Sequence, residues 1–391
     1  MRIDVLIFGG GASGLWCLDR FRRAGYQAIL LESTALGYGQ TIQAQGIIHG
    51  GGKYALHGVR DFAAVQASKE MPERWRRSLA NEFPPDLGST RVLSDRCYLW
   101  LPRGSFTAWV LSWGLMSVVA KAGLLATPPE RVPDFAWPEA LRGSALAVYS
   151  LAEPVIATES LLEALAAQHR KYIFLYDASA VRFSQERVQI SDVLFQPRSI
   201  VLAAGEGNAE LLKRAGIQGD LMQRRPLGMV LLRGILPPLF GHCIVGGKPQ
   251  LTITTPLEGV WQIGGEIAER LADQKNIEDA QRLAMNEIRH WLAGLDFSGA
   301  EIAVYRAIRA EARTAQQRRP SGVHVRRVTP RIAVAWPTKL ALAPILADEV
   351  FASVTMDLKG PAGYKEEELP AWPAPQVARY PWEEAEWFPA R

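Results

Sequence analysis

Residues 3–32 read IDVLIFGGGASGLWCLDRFRRAGYQAILLE, and this stretch decides the fold. Ile3 to Phe8 form a run that is apolar except for Asp4, which is typical of a strand buried on both faces of a sheet. The glycine-rich turn that follows opens a predicted helix over 13–24, which Gly25 ends. A second apolar run closes at Glu32. The stretch therefore predicts a βαβ opening.

The glycines of the turn follow the pattern G-x-G-x-x-G, with Gly9, Gly11 and Gly14. The first permits the tight turn, the second lets a pyrophosphate approach the backbone, and the third lets helix and strand pack closely. The helix N-terminus adds free N–H groups and the positive end of its dipole. Glu32 lies 21 residues after Gly11, where a carboxylate can bind ribose hydroxyls and disfavours the 2′-phosphate of NADP. These features predict a dinucleotide site rather than a glycine-rich turn without a ligand, and NAD and FAD both fit them.

The composition is that of an ordinary globular protein, with 391 residues, 48% apolar and 21% charged. A net charge of +4 without a Lys/Arg run predicts no nucleic-acid partner. Cys17, Cys97 and Cys243 lie far apart, so we expect no disulfide framework and no metal site. Together with the absence of a visible targeting segment, this predicts a cytoplasmic protein.

Several segments beyond residue 32 have recognisable patterns. Residues 33–58 read as a functional loop, and 60–150 as mostly helix and aromatic-rich loop. The apolar stretch 104–120 is predicted to be a buried or partner-facing helix; a membrane-surface element is the alternative, because Trp109 and Trp113 lie one helical turn apart. The Pro- and Trp-rich tail from Met356 reads as an extended strap docked by its aromatics, or as a partner-binding motif. A membrane-peripheral or protein-bound location through these segments therefore stays open.

Three further segments join the opening motif to a known family. They are GYGQTIQAQGIIHGGGKYAL (37–56), the buried strand that ends in LAAG (202–205), and AVAWPTKLALAPILAD (333–348). With the glycine motif, they resemble the D-amino-acid oxidase superfamily of FAD-dependent oxidoreductases. IIHGGGKY and PTKLALAP are most similar to the FAD-dependent glycerol-3-phosphate and 2-hydroxyglutarate dehydrogenase branch, although residue 53 is Lys where that branch carries Arg.

The resemblance implies an α/β fold and FAD as the cofactor. It implies a Rossmann-like FAD-binding domain of the glutathione-reductase type, interleaved with an α+β substrate domain on a mixed or antiparallel sheet. We assign 1–75, 150–215 and 325–355 to the first domain, 76–149 and 216–324 to the second, and 356–391 to the strap. The residues implied to bind FAD are Gly9, Gly11, Ala12, Ser13, Gly14, Glu32, Ser33, Gln40, Thr41, Gln45, Gly46, His49, Ala204, Gly205, Thr338, Lys339 and Leu340.

Oxidation of an alcohol needs a base, because a hydroxyl proton does not leave unaided, and an anionic substrate needs a cationic anchor. His49, in the loop that the resemblance places against the flavin, is the predicted base, with His242 as the reserve. A purely flavin-binding role for His49, or covalent flavin attachment, is the alternative. Arg309, and Lys53 with Tyr54, are the predicted anchors; a solvated basic face is the alternative for the arginines near 309. Lys339 is expected to stabilise negative charge on the reduced flavin.

Together these residues predict an FAD-dependent dehydrogenase or oxidase. It would transfer hydride to flavin N5 from a small anionic substrate, a 2-hydroxy acid or a polyol phosphate, with oxygen, a quinone or a protein as the electron acceptor. The alternative enzyme is an amine or amino-acid oxidase of glycine-oxidase type, in which no base is needed. A flavoprotein subunit with structural FAD is the alternative from another class.

Overall fold

The structure is a computed structural model that describes residues 1–51, 68–104, 127–315, 320, 322–365 and 367–390. The predicted residues Lys53, Tyr54, Trp109 and Trp113 lie outside these ranges, as does most of the apolar stretch 104–120. Within the described ranges, no helix is long and apolar enough to cross a membrane.

In chain order the strands are β1 (Arg2–Phe8), β2 (Ala28–Glu32), β3 (Val92–Ser94), β4 (Cys97–Pro102), β5 (Glu130–Arg131), β6 (Ala145–Leu151), β7 (Val155–Ile156), β8 (Ile173–Leu175), β9 (Val181–Phe183), β10 (Val188–Ile190), β11 (Val193–Leu202), β12 (Met222–Arg233), β13 (Gly241–Val245), β14 (Lys248–Leu257), β15 (Val260–Gly264), β16 (Glu301–Ala312), β17 (His324–Arg327), β18 (Ile332–Trp336) and β19 (Phe388–Pro389). The α-helices are α1 (Ala12–Arg23), α2 (Met71–Leu79), α3 (Thr158–Ala167), α4 (Asn208–Arg214), α5 (Glu266–Leu271), α6 (Ile277–Trp291), α7 (Ala343–Leu358) and α8 (Pro381–Glu384).

The first sheet has the order β17-β18-β11-β1-β2-β8, with parallel pairing from β18 to β8. Helices α1, α3 and α7 contribute to the core on one face, where Leu15 and Leu346 are fully buried. Phe8 and Trp336 belong to the core on the other face. Because both faces are covered, β1 is buried at every position after Arg2, and all of these residues except Asp4 are apolar.

The second sheet has the order β19-β16-β12-β15-β14-β13-β4-β6-β5. Its pairs are antiparallel except for β13 with β4. Helices α5 and α6 cover one face through Ile267, Ala284 and Ile288. A parallel sheet with covering helices beside a mixed sheet is the predicted α/β fold, with a Rossmann-like unit and an α+β unit. The predicted domain limits stay a prediction.

The middle of the chain differs from the prediction of mostly helix and loop over 60–150. Helix α2 is there, but β3 to β6 are strands, and β4 and β6 enter the second sheet beside β13. CYLWLP and ALAVYSL are short apolar runs whose periodicity does not separate strand from buried helix. β4 pairs with β13, which comes much later in the chain, and β6 pairs with β4; this pairing makes both runs strands.

The C-terminal segment runs across both sheets. Helix α7 extends to Leu358, so the first three residues of the predicted strap, 356–358, are helical rather than extended. The segment then pairs with Leu36 through the backbones of Gln376 and Ala378. Its end, β19, pairs with β16 of the second sheet, and the ring of Trp387 lies under the Arg233 guanidinium. The segment therefore ties the edge of the first sheet to the second.

Candidate active site

The glycine turn is built so that a side chain would not fit. A Cβ on Gly9, whose φ is +111°, would lie 2.5 Å from the Ala203 carbonyl oxygen, and a Cβ on Gly14 would lie 1.9 Å from the Gly9 oxygen. Gly11 caps α1 without a side-chain hydrogen bond, and the Ala12 N–H donates to Thr41 Oγ1 at 3.2 Å. The turn is therefore a backbone cradle at a helix N-terminus, the geometry that receives a pyrophosphate.

Glu32 ends β2 beside this cradle. One carboxylate oxygen accepts from the Gly10 N–H at 2.6 Å, and the other from Ser33 and Thr34 N–H at 2.8 Å each. Burial raises the pKa of Glu32 even though these hydrogen bonds favour the ionised form. A buried carboxylate at this position can accept hydrogen bonds from ribose hydroxyls.

Three of the four sequence segments predicted to bind the cofactor meet at the carboxyl ends of neighbouring parallel strands. The Gly9 turn follows β1, Glu32 ends β2, Ala204 and Gly205 follow β11, and Thr338 follows β18. Ligands of open α/β sheets bind at this edge. Helix α7 begins at Ala343 with Pro344 in its first turn.

A cavity of about 450 Å³ opens between this edge and the second sheet. The predicted residues that line it are Ala12, Ser13, Gln40, Thr41, Gln45, Gly46, His49, Arg309, Thr338, Lys339 and Leu340. The remaining described ones lie outside its lining: Gly9, Gly11, Gly14, Glu32, Ser33, Ala204, Gly205 and His242. The first five of these form the cradle and the end of β2, while Ala204 and Gly205 follow the neighbouring β11.

Two of the predicted cofactor-binding glutamines also join the two sheets. Gln45 donates from Nε2 to the carbonyl oxygens of Thr252 and Gln262, at 2.8 and 2.9 Å. Gln40 Oε1 accepts from the Ala310 N–H at 2.8 Å. These amides hold the loop over residues 33–51, which we call the cavity loop, against β14, β15 and β16. Their contact with the cofactor stays a prediction.

Lys339 lies at the end of the cavity formed by the first sheet. Its Nζ donates to Ser68 Oγ at 3.3 Å, and a 3-10 turn over Leu340–Leu342 leads from it into α7. The ammonium group therefore lies beside the N-terminus of α7. The ammonium charge and the helix dipole both favour a negative charge there.

His49 stands on the cavity wall with its side chain 12% exposed. Its Nδ1 lies 3.2 Å from Oε2 of the buried Glu153, whose other oxygen accepts from the Gly50 N–H at 2.8 Å. The ring of His242 lies 5.4 Å from that of His49, centroid to centroid, and is fully buried. His242 is thus beside the predicted base but not on the cavity wall.

His49, Glu153 and His242 also form a donor set that transition metals accept, with one ligand atom of each within 4.8 Å of the others. Neighbouring ligands of a tetrahedral zinc ion lie about 3.3 Å apart, given bonds of about 2.0 Å. His49 Nδ1 faces Glu153, and His242 Nδ1 faces Thr252 Oγ1 at 2.9 Å, both at hydrogen-bond distance. We therefore interpret His49 and Glu153 as a hydrogen-bonded pair, with the ring of His242 packed beside that of His49.

Arg309 lines the cavity together with Arg225, which sequence reasoning missed. The two residues are directly opposite each other in the β12–β16 register, so their side chains share one face of the sheet. Arg225 Nη2 lies 3.5 Å from Oε2 of the buried Glu311. The other arginines near 309 that the structure describes are occupied elsewhere: Arg306 donates to carbonyl oxygens at the end of α5, and Arg313 pairs with Asp220.

Glu153 is the second residue that sequence reasoning missed. It follows β6 in an unremarkable turn, and no motif or periodicity there marks it. No pattern in the sequence marks Arg225 either. It can be identified only from the register of β12 and β16, which places it opposite Arg309 although the two are far apart in the chain.

Residues 4–335 match the family described as DAO, FAD dependent oxidoreductase, and the chain belongs to this family. A Pseudomonas aeruginosa protein described as a probable FAD-dependent oxidoreductase, PA4991, is 37% identical over 398 residues, covering 98% of each chain. Its crystal structure matches with a TM-score of 0.82 at 32% identity, covering 98% of each chain.

Two other solved structures share the fold. Glycine oxidase from Geobacillus kaustophilus has a TM-score of 0.66 at 16% identity, covering 93% of this chain and 96% of that one. L-alpha-glycerophosphate oxidase from Mycoplasma pneumoniae, with FAD bound, has a TM-score of 0.64 at 14% identity, covering 95% and 97%. The predicted family and cofactor are therefore confirmed, and the chain is an FAD-dependent oxidoreductase.

The residues of the chain fit FAD. The cradle over Gly9–Gly14 leaves backbone room for the pyrophosphate, since a Cβ on Gly11 would already approach Thr41 Oγ1 to 3.1 Å. Glu32 stands where the ribose binds in such folds, and the cavity beyond Ala12 and Thr41 continues to Lys339 and His49. The cradle and the cavity together can receive the two halves of the dinucleotide.

Proposed function

We propose that this FAD-dependent oxidoreductase oxidises a C–H bond of a small anionic hydroxylated substrate, a 2-hydroxy acid or a polyol phosphate. One observation carries the proposal: an imidazole, His49, and two guanidinium groups, Arg225 and Arg309, line the same cavity. A base and an anion anchor are the two protein groups that oxidation of such a substrate requires.

Each of these side chains has a defined task. Arg309 can hold a carboxylate or phosphate by two parallel charge-assisted hydrogen bonds, and Arg225 adds a second positive charge on the same face of the sheet. His49 takes the hydroxyl proton as the C–H bond breaks. FAD, when bound, accepts the hydride. The electron acceptor that reoxidises it is oxygen, a quinone or a protein.

An amine or amino-acid substrate is the second candidate, and a specific feature of the cavity favours it. Glu266 and Glu269, at the start of α5, also line the cavity. Carboxylates there can bind the ammonium group of a zwitterion while Arg309 binds its carboxylate. An unprotonated amine donates hydride without a base, so His49 would then only contact the flavin.

Anaerobic bleaching of the flavin absorbance separates the two candidates. The holoprotein is mixed with stereochemically defined 2-hydroxy acids, polyol phosphates and amino acids, and the rate of bleaching is followed by stopped flow. We expect a hydroxylated anion to reduce the flavin, and His49→Ala to slow that step roughly 10²–10⁴-fold with FAD still bound, which is the usual effect of removing a positioned base.

The matched control is His290→Ala, on the exposed side of α6, which should leave the rate unchanged. Bleaching by amino acids alone, at a rate that His49→Ala does not change, would favour the amine oxidase.

A further inference from the structure

We propose that Glu153 is a positioning residue for His49. It holds the imidazole proton on Nδ1, so that Nε2 is the atom that takes the substrate proton. The inference rests on the proposed function, because it specifies how the base of that reaction is prepared.

The two oxygens of Glu153 hold two consecutive residues of the cavity loop. Oε2 contacts His49 Nδ1 at 3.2 Å, and Oε1 accepts from the Gly50 N–H at 2.8 Å. Glu153 is 3% exposed, so water does not compete strongly for either oxygen. The carboxylate thus fixes both the ring and the backbone beside it.

The backbone around the pair is joined in the same way. Ile48 N–H donates to the Pro154 oxygen at 2.9 Å, and Ile156 N–H donates to the Gly46 oxygen at 3.0 Å. Gly46 has a φ of +71°, and a Cβ there would lie 1.9 Å from the Ile156 oxygen. The loop that carries His49 is therefore in tight contact with the segment that carries Glu153, and the imidazole is aimed by a rigid support.

The chemistry of the pair assigns the tautomer. An ionised carboxylate only accepts hydrogen bonds, so Nδ1 must donate and Nε2 keeps its lone pair. When Nε2 gains a proton, the buried carboxylate stabilises the resulting imidazolium. Among the described titratable groups, His242 on β13 faces His49 from the second sheet. The charged groups that share the cavity are Arg225, Arg309, Lys339, Glu266 and Glu269.

Glu153→Gln tests the assignment, because the new amide has a defined orientation. Its oxygen is needed by the Gly50 N–H, so its NH₂ group faces His49 Nδ1. That forces Nδ1 to accept and moves the ring proton to Nε2, the tautomer that cannot act as the base. We expect flavin reduction by the hydroxylated substrate to slow roughly tenfold to a hundredfold, as for other carboxylates that orient a functional histidine.

Two further readouts separate positioning from a general structural effect. In the variant, the acid limb of the pH profile of flavin reduction should move to lower pH, because the negative charge that favours imidazolium is gone. ¹⁵N NMR of the histidine side chains should show His49 changing from the Nδ1–H to the Nε2–H form, with His49→Ala identifying its signals among the six histidines. Glu153→Asp, which keeps the charge, should restore part of the rate.

The matched control is His169→Gln, at a second histidine–carboxylate pair. His169 Nε2 lies 3.1 Å from Oδ1 of the buried Asp19, and His169 does not line the cavity. This variant should leave the rate, the pH profile and the His49 signals unchanged.

The outcomes distinguish the inference from the function on which it rests. If His49→Ala slows reduction and Glu153→Gln behaves like the control, the positioning role is wrong and the base stands. If neither variant changes reduction by any hydroxylated anion, the proposed function itself is wrong. A stoichiometric zinc ion that survives dialysis in the wild type and is lost in Glu153→Gln would also overturn the inference, because the cluster would then be a metal site.

Discussion

At the scale of single residues, Glu32 is a carboxylate that is suited to bind ribose hydroxyls but is buried, and burial disfavours its ionised form. Its carboxylate accepts backbone hydrogen bonds from Gly10, Ser33 and Thr34. Burial nevertheless raises its pKa above the ordinary 4.5. Without the cofactor, the protein therefore binds this proton more tightly than the unfolded chain does, and the position destabilises the FAD-free protein at neutral pH.

This shift predicts how Glu32→Gln changes stability with pH. For an acid whose folded pKa is raised, the contribution to stability is fully present below about pH 4.5 and is lost as pH rises through the folded pKa. The difference in melting temperature, variant minus wild type, should thus become more positive from pH 4 to pH 7 in FAD-free protein. Saturating FAD should reverse the order at pH 7, since the ribose hydroxyls keep a charged acceptor only in the wild type.

Thermal melts followed by circular dichroism measure this difference. Glu258→Gln, at an exposed position between β14 and β15, is the control and should show no such trend. A Glu32→Gln difference that does not vary with pH in FAD-free protein would contradict the burial argument.

At the scale of elements, the C-terminal segment supports the glycine cradle from outside. Leu36 N–H donates to the Gln376 oxygen at 2.8 Å, and Ala378 N–H donates to the Leu36 oxygen at 3.0 Å. The next residue, Gly37, donates its N–H to the Gly10 oxygen at 2.9 Å. The segment therefore holds the residues that lie directly against the nucleotide turn.

Ala378→Pro should weaken FAD binding although residue 378 is remote from the cavity. Proline removes the N–H that bonds to Leu36, and one such hydrogen bond contributes about 1 kcal/mol, so the FAD dissociation constant should rise roughly fivefold. Titration of the apoprotein with FAD, followed by flavin fluorescence, measures it. Ala374→Pro, at an exposed position of the same segment, should leave it unchanged. Equal affinities in both variants would show that the segment does not support the cradle.

At the scale of the whole molecule, the two sheets contribute different residues to the candidate site. The cradle and Lys339 belong to the parallel sheet or its loops, whereas Arg225 and Arg309 project from β12 and β16 of the mixed sheet. The nucleotide cradle and the two arginines that we propose to bind the substrate therefore lie on different structural units that face one cavity. Gln40 and Gln45 line the cavity and join the two units by hydrogen bonds.

This division predicts that Arg309→Lys separates the two binding steps. A lysine cannot reproduce two parallel guanidinium hydrogen bonds, so substrate binding should weaken by about 1–3 kcal/mol. FAD affinity should stay at the wild-type value, because the cradle lies on the other sheet. Substrate dependence of flavin reduction gives the first quantity, and FAD titration gives the second.

Arg306→Lys is the control on the same strand. Arg306 bonds to the end of α5, and its odd separation from Arg309 puts it on the opposite face of β16. Substrate affinity equal in both variants would indicate that Arg309 belongs to a solvated basic face.

The features that the sequence alone determined are local ones. A buried strand, three spaced glycines, a helix and an acid at the next strand end lie within 32 residues, and each imposes its own backbone requirement. That is why the βαβ unit and its dinucleotide site can be predicted directly from the sequence. The other motifs, by their resemblance to the family, then predict FAD as the cofactor and His49 and Lys339 as site residues. These features can be predicted because backbone sterics and hydrophobic periodicity depend only on residues that are close together in the chain.

Tertiary structure alone decided the partners of these residues. Glu153 reaches His49 from a turn 104 residues further along the chain, and Arg225 meets Arg309 only through the strand register. The short apolar runs at 97–102 and 145–151 became strands because the first pairs with β13 and the second pairs with the first. Such contacts depend on which segments the folded core brings together, and no local propensity encodes that choice.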